Sequence, residues 1–186
     1  MSLRLKMQKY ESRKLSILAN YIESLKITYS DINQNPVMNL KSPLDLMIRE
    51  INENDFRGLS ELYTHLHNNK LIENNTENME LFRTILQDEN HHIIVAEESG
   101  KIVSSCVCVI VPNLTHNQQP YALIENVVTD KAYRKLGLAT ACLSYAKQIA
   151  VDNHCYKMML LTGSKKRSVH KFYQKNGYNR FEKTGY

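Results

Sequence analysis

Residues Val127 to Thr140 read VVTDKAYRKLGLAT. A strand-like apolar run ends near Thr129, a short polar loop follows, and a helical pattern begins near Leu136. The chain has only six glycines, and one of them, Gly137, stands at this junction behind Arg134 and Lys135. The first turn of a helix carries backbone N–H groups without partners and a partial positive charge. Such a terminus suits a phosphate. Gly137 has no side chain to hold an anion off the backbone, and Ala139 is nearly as small. A glycine here would equally ease a tight helix entry, and Arg-x-x-Gly-x-Ala alone does not separate the two roles. The stretch has neither the Gly-x-x-x-x-Gly-Lys-Ser/Thr phosphate loop nor the three glycines of a dinucleotide fingerprint.

Working outward, the helix after the glycine places Leu138, Cys142, Leu143, Ala146, Ile149 and Ala150 on one side, the spacing of a buried face. CYKMMLLTG then reads as a strand and SVHKFYQKN as a short helix stopped by Gly177. YNRFEKTGY reads as one brief final strand. Upstream, HHIIVAEE and KIVSSCVCVIV form a hairpin about Ser99-Gly100, and YALIENVVTD is the next strand after a loop, NLTHNQQP. LDLMIREI is a further strand. Two helices follow it, one with Phe56, Leu59, Leu62 and Leu66 on one side, the other opened by Thr76 as cap. Hairpins followed by a strand-helix-strand crossover give an α/β mixed sheet with helices on its faces.

The first 44 residues differ in kind. Leu15, Leu18, Ile22 and Leu25 stripe one face of a helix running from about Leu5 to Ile27, and SDINQNPVMNLKSP is a linker. The expected division is 1–44, an N-terminal helical extension, and 45–186, the main domain. The stripe needs a partner surface, either on its own domain or in a homodimer.

Composition narrows the function classes. The 186 residues are 42% hydrophobic and 23% charged, with no apolar run approaching a membrane span and an N-terminus too polar for a secretory signal. Cys106, Cys108, Cys142 and Cys155 form no Cys-x-x-Cys pair, and Cys106 and Cys108 share one strand face, which suits buried reduced thiols in a cytoplasmic protein. The net charge is +5, and Lys165, Lys166, Arg167, Lys171 and Lys175 crowd the C-terminal segment. That points to an anionic ligand. No aromatic-interleaved basic stripe accompanies it, so a nucleic-acid partner is not expected. His65-x-His67 and His91-His92 lack the companions of a metal site, and no metal is expected.

The stretch HKFYQKNGY, about forty residues beyond the first glycine motif, completes a pattern. Arg134, Gly137 and Ala139 match a Gln/Arg-x-x-Gly-x-Gly/Ala element; Phe172, Tyr173, Gly177 and Tyr178 match a Phe-Tyr-x-x-x-Gly-Phe/Tyr element. In this order and spacing the chain resembles the GNAT superfamily of acyl-CoA-dependent N-acyltransferases over roughly three quarters of its length. The resemblance implies a GNAT-like central mixed, mostly antiparallel sheet flanked by helices, and acetyl-CoA as acyl donor. It implies that the coenzyme A diphosphate rests on Arg134, Lys135, Leu136, Gly137, Leu138, Ala139 and Thr140. The pantetheine arm would lie along Val127, Val128 and Thr129 like an added strand, in a gap between two splayed central strands. A backbone N–H near Val128 would polarise the thioester. Phe172 would line the cofactor, and Tyr173 would protonate the leaving thiolate.

An acceptor ammonium must lose a proton before it attacks, and Glu125 is the expected base, with His170 a weaker alternative. Strand alternation sends Asn126 to the face opposite Glu125. Lys166 and Val169 stand where relatives often carry Asn and Ala, so Lys166 would meet the cofactor's phosphates instead. The expected function is an N-acetyltransferase acting on a primary amine of a small molecule or another amino-group-bearing acceptor. A catalytically idle acyl-CoA-binding regulatory module is the alternative, and retention of Tyr173 and Glu125 argues against it.

Overall fold

A computed structural model of the chain describes residues 46–66 and 69–182. The N-terminal helix and linker expected over residues 1–44 lie outside the described residues, as do His67 and residues 183–186.

The described residues form a five-stranded sheet: β1 (Leu46–Glu50), β2 (His91–Glu98), β3 (Lys101–Val111), β4 (Tyr121–Thr129) and β5 (Met158–Leu160), in that spatial order. The first four strands pair antiparallel and β5 joins β4 in parallel. The β2–β3 hairpin turns at Ser99 (φ 51°) and Gly100 (φ 78°), the pair of left-handed residues that matches strand twist.

Helices cover both faces. On one lie α1 (Phe56–Tyr63) and α2 (Thr76–Gln87), and on the other lie α3 (Leu138–Asp152) and α4 (Arg167–Lys175). Phe56, Leu59, Leu62 and Phe82 pack with Ile93, Val95, Val107 and Val128 in one core. Leu138, Cys142, Leu143, Ala146 and Ile149 pack with Ile94, Cys106, Cys108 and Ile124 in the other. The expected buried face of α3 is buried throughout. Each such large aliphatic side chain contributes roughly 1.5–3 kcal/mol against exposure.

The start of α1 is held firmly. The Asn52 side chain accepts from Asn54 N (3.0 Å), and Asp55 accepts from Asn52 N (2.7 Å). Arg49 on β1 bridges Asp55 and Glu97 of β2 at 2.5 and 2.6 Å. This clamp fixes where the other end of α1, and with it Tyr63, meets the sheet.

Some boundaries differ from expectation. The cap of α2 is Asn75, not Thr76: Asn75 is extended (φ −117°, ψ 170°), and its side chain accepts from Asn78 N. Helix α3 starts at Leu138, because Gly137 adopts φ 80° and is the cap itself. Residues Tyr178 to Glu182 form no strand, and Arg180 to Glu182 turn instead, so β5 is an edge among the described residues.

Candidate active site

The parallel ladder between β4 and β5 is three pairs long: Ala122↔Met158, Leu123↔Met159 and Ile124↔Leu160. Beyond Ile124 the strands diverge. Glu125, Val128 and Thr129 stay paired with β3 on one side, and no residue from Glu125 to Thr129 has a partner strand on the other. Strands that separate inside a sheet leave a row of backbone donors and acceptors open. The expected cofactor segment, Val127, Val128 and Thr129, forms that row.

The same place carries a bulge. Val107 pairs with Glu125 but Ser105 pairs with Val128, so β4 has one residue more than β3. The extra residue reverses the alternation. Ala122 and Ile124 join the core under α3, as does Val127, whereas Val128 joins the core under α1. Asn126 takes the strain, with φ 50°, in a region asparagine tolerates better than most residues. The alternation that would send Asn126 to the face opposite Glu125 is interrupted at this point. Both are exposed at the bulge, and the Asn126 side chain lies beside the Tyr63 hydroxyl on the α1 side.

Tyr63 was not legible as a site residue. It ends an ordinary amphipathic helix with no motif around it, and only the clamp on α1 and the bulge on β4 bring it to Asn126. Burial pushes its hydroxyl up to about 12, moderated by the side chains of Ser105 and Asn126. Ser105 Oγ is fully enclosed; Tyr63 is its polar neighbour, yet the two fall short of a well-aligned hydrogen bond.

After β4, Asp130 accepts from Ala132 N (2.9 Å) and opens a helical turn over Lys131–Tyr133. Lys101 Nζ meets its other oxygen at 2.7 Å. Asp130 is 8% exposed, although that enclosure comes from its immediate partners rather than from deep burial. The Lys101 hydrogen bond is the main cause holding its carboxyl below the usual range. Arg134 Nε donates back to Thr129 O (3.3 Å), tying the loop to the strand end. Lys135 (φ 67°) and Gly137 (φ 80°) turn the backbone into α3. No side chain caps that helix, so its first N–H groups are left for a ligand. Arg134, Lys135 and Leu136 are exposed, Ala139 and Thr140 half-buried. Leu138 is buried, and only its backbone can reach a ligand. These residues fit an anionic diphosphate.

Helix α4 approaches from the α3 side. Phe172, Tyr173 and Tyr178 pack on the α3 core, with Phe172–Tyr173 ring centroids 5.1 Å apart and Tyr173–Tyr178 5.9 Å apart, edge to face. Burial raises the Tyr173 hydroxyl above its ordinary value, and the Cys106 thiol and the Glu125 carboxylate add to the rise. The two expected catalytic residues thus come within electrostatic reach of each other. Lys166 is exposed at the N-terminus of α4, and His170 is half-buried one turn before Tyr173.

A cavity of about 300 Å³ lies elsewhere, past the end of β4 on the α1 face, lined by Asp55, Glu61, Leu62, His65, Lys101 and Asp130 among others. It includes neither Glu125 nor Tyr173, and its polar walls are largely spoken for by ion pairs. The gap at the bulge, where the motif residues converge, is the better candidate for chemistry. Among the described residues no cluster of His, Cys, Asp or Glu could hold a metal, and no helix is long and apolar enough to cross a membrane.

The sequence profile of the acetyltransferase (GNAT) family matches residues 56–178. The chain belongs to the GNAT acetyltransferase family. It is an acyltransferase by that membership. A solved protein of Agrobacterium tumefaciens str. C58 assigned as an acetyltransferase superposes with a TM-score of 0.71 at 38% identity, covering 75% of this chain and 96% of that one. A glucosamine 6-phosphate N-acetyltransferase of Trypanosoma brucei brucei is 28% identical over 144 residues, 75% of this chain and 93% of the relative. Streptothricin acetyltransferase A of Bacillus subtilis (strain 168) is 33% identical over 98 residues, 50% of this chain and 56% of the relative.

Proposed function

We propose that this GNAT protein moves an acetyl group from acetyl-CoA to a primary amine of a small molecule in one direct transfer. The observation that carries the reading is the open half of β4. Its first residue is the exposed Glu125, and the hydroxyl of the half-buried Tyr173 feels that carboxylate from the α4 side. The thioester supplies an acetyl group already activated for attack.

The chain's own residues supply the rest. The uncapped N–H groups from Gly137 to Thr140 hold the diphosphate, with charge from Arg134, Lys135 and Lys166 and with Phe172 alongside. The unpartnered edge at Val127, Val128 and Thr129 accepts the amide-bearing arm, and the Val128 N–H steadies the carbonyl oxygen as charge grows on it. Glu125, directly or through water, takes a proton from the acceptor ammonium. The freed nitrogen forms the C–N bond, the C–S bond breaks, and Tyr173 gives its proton to the departing sulfur; the second proton that the nitrogen sheds as the amide forms restores the tyrosine through solvent. The small-molecule acceptor is supported by relatives that act on glucosamine 6-phosphate and on streptothricin.

The test is thiol release from acetyl-CoA against a panel of amines. Amine-dependent release with matching N-acetylated product is the expected result. Tight acetyl-CoA binding with no release for any amine would favour an idle acyl-CoA-binding module.

A further inference from the structure

The bulge on β4 does more than separate it from β5. Because one residue is inserted, Glu125 and Asn126 both stand exposed at the mouth of the gap. Asn126 holds φ 50°, and strained backbone of this kind persists where surroundings over-determine it. Tyr63, at the end of α1, packs into the core that holds Val107 and Val128, the β3 partner of Glu125 and the β4 partner of Ser105, with its hydroxyl beside the Asn126 side chain. Tyr63 belongs to the core under α1, whereas Tyr173 belongs to the core under α3. The gap is thus flanked by a tyrosine from each side of the sheet. Tyr173 serves the leaving sulfur, and the α1 side is left for the incoming acceptor.

The chemistry of that side is specific. It offers one carboxylate, Glu125, then neutral groups that both donate and accept: the Asn126 carboxamide and the Tyr63 hydroxyl, backed by the enclosed hydroxyl of Ser105. One carboxylate matches one ammonium. Neutral groups of mixed donor and acceptor character match hydroxyls, and would be left unpaired by a bare alkyl chain. A site built to hydrogen-bond a hydroxyl discriminates strongly against a partner that lacks it.

Resting on the acetyl-transfer reading, we infer that Tyr63 and Asn126 form the acceptor-recognition surface of this protein and select an amine flanked by hydroxyl groups, the chemistry of an amino sugar. Tyr63 and Asn126 are specificity-determining residues and take no part in the proton transfers.

The experiment uses the full chain and two probes, glucosamine 6-phosphate and a plain alkylamine, cyclohexylamine. Binding of each to protein saturated with coenzyme A is measured by calorimetry, and KM and kcat by thiol release. Glucosamine 6-phosphate should bind the saturated wild type and cyclohexylamine should bind at least about tenfold more weakly, the scale of one or two hydrogen bonds. Tyr63→Phe keeps the ring, and Asn126→Gly keeps the left-handed backbone. Each should raise the KM for glucosamine 6-phosphate about tenfold while kcat, acetyl-CoA affinity and Tm move little. Equal binding of the two probes overturns the inference, as does an unchanged KM in both variants. Acetylation of cyclohexylamine but not of the amino sugar refutes the inference and leaves acetyl transfer standing. The absence of thiol release with every amine, despite acetyl-CoA binding, overturns both.

Discussion

Ile124 of β4 and Leu160 of β5 form the last pair of the parallel ladder, and the next residue of β4 is Glu125. A sheet that opens at its fourth strand creates an internal edge, and an edge is a place where another chain-like molecule can pair. The bulge at Glu125 and Asn126 falls at that opening. It twists β4 away from β5 and puts polar side chains beside the free backbone.

Gly137→Glu should lower acetyl-CoA affinity by at least about tenfold. The glycine holds φ 80°, where a side chain costs about 1–2 kcal/mol, and a carboxylate at the helix N-terminus would also repel the diphosphate. Calorimetry on the variant, with circular dichroism to check folding, measures this. Unchanged affinity in folded protein would move the diphosphate elsewhere.

Tyr173→Phe should reduce turnover on the order of a hundredfold with acetyl-CoA affinity nearly unchanged. A general acid works only while protonated. Burial, Cys106 and Glu125 all raise this hydroxyl, so its alkaline limb should lie above the ordinary tyrosine value of about 10. Wild-type turnover in the variant would reject the role.

Asp130 makes a stability contribution with a defined pH window. Its carboxyl is held below the usual range, first by Lys101. The folded state therefore favours the ionised form, and the contribution is complete above about pH 4 and lost as pH falls through the lowered value. Thermal melts of wild type and Asp130→Asn should differ most near neutrality and converge in acid. A gap in Tm that is constant with pH would show that the charge is not what matters.

The four free thiols should differ in reactivity. Cys106, Cys108 and Cys142 are buried, and burial pushes Cys108 and Cys142 up to about 12 and Cys106 well above its ordinary value. Cys155 is half-buried and raised less far. In native protein a thiol–disulfide exchange reagent should modify Cys155 first, faster at higher pH, and the other three only after unfolding. Rapid native modification of Cys106 would contradict the packing under α3.

The order of elements was legible because it is local. Hydrophobic period marked the faces of α1 and α3, Ser99-Gly100 marked the hairpin, and Gly137 and Gly177 marked a helix start and a helix stop. The proposed diphosphate corner was legible for the same reason: its loop, glycine and helix are contiguous, so its components find one another without help from the rest of the fold. Tyr173 could be named from its neighbours Phe172 and Gly177.

Where Glu125 and Asn126 point was not local information. Sequence alternation put them on opposite faces, and a single inserted residue, visible only when Val107 and Ser105 of β3 are matched to Glu125 and Val128, brought both out at the gap. Tyr63 lies more than sixty residues before Asn126 and carries no motif. Its hydroxyl meets that side chain because Arg49, Asp55 and Glu97 fix the start of α1 and because Phe56, Leu59 and Leu62 fix its roll on the sheet. The sequence alone determined the family, most of the helices and strands, and the loop, glycine and helix of the proposed diphosphate corner, since these follow from periodicity and short-range spacing. Strand register, the splay of β4 from β5 and the company of Tyr63 were decided only by tertiary packing, because each depends on contacts between segments that are separate in the sequence.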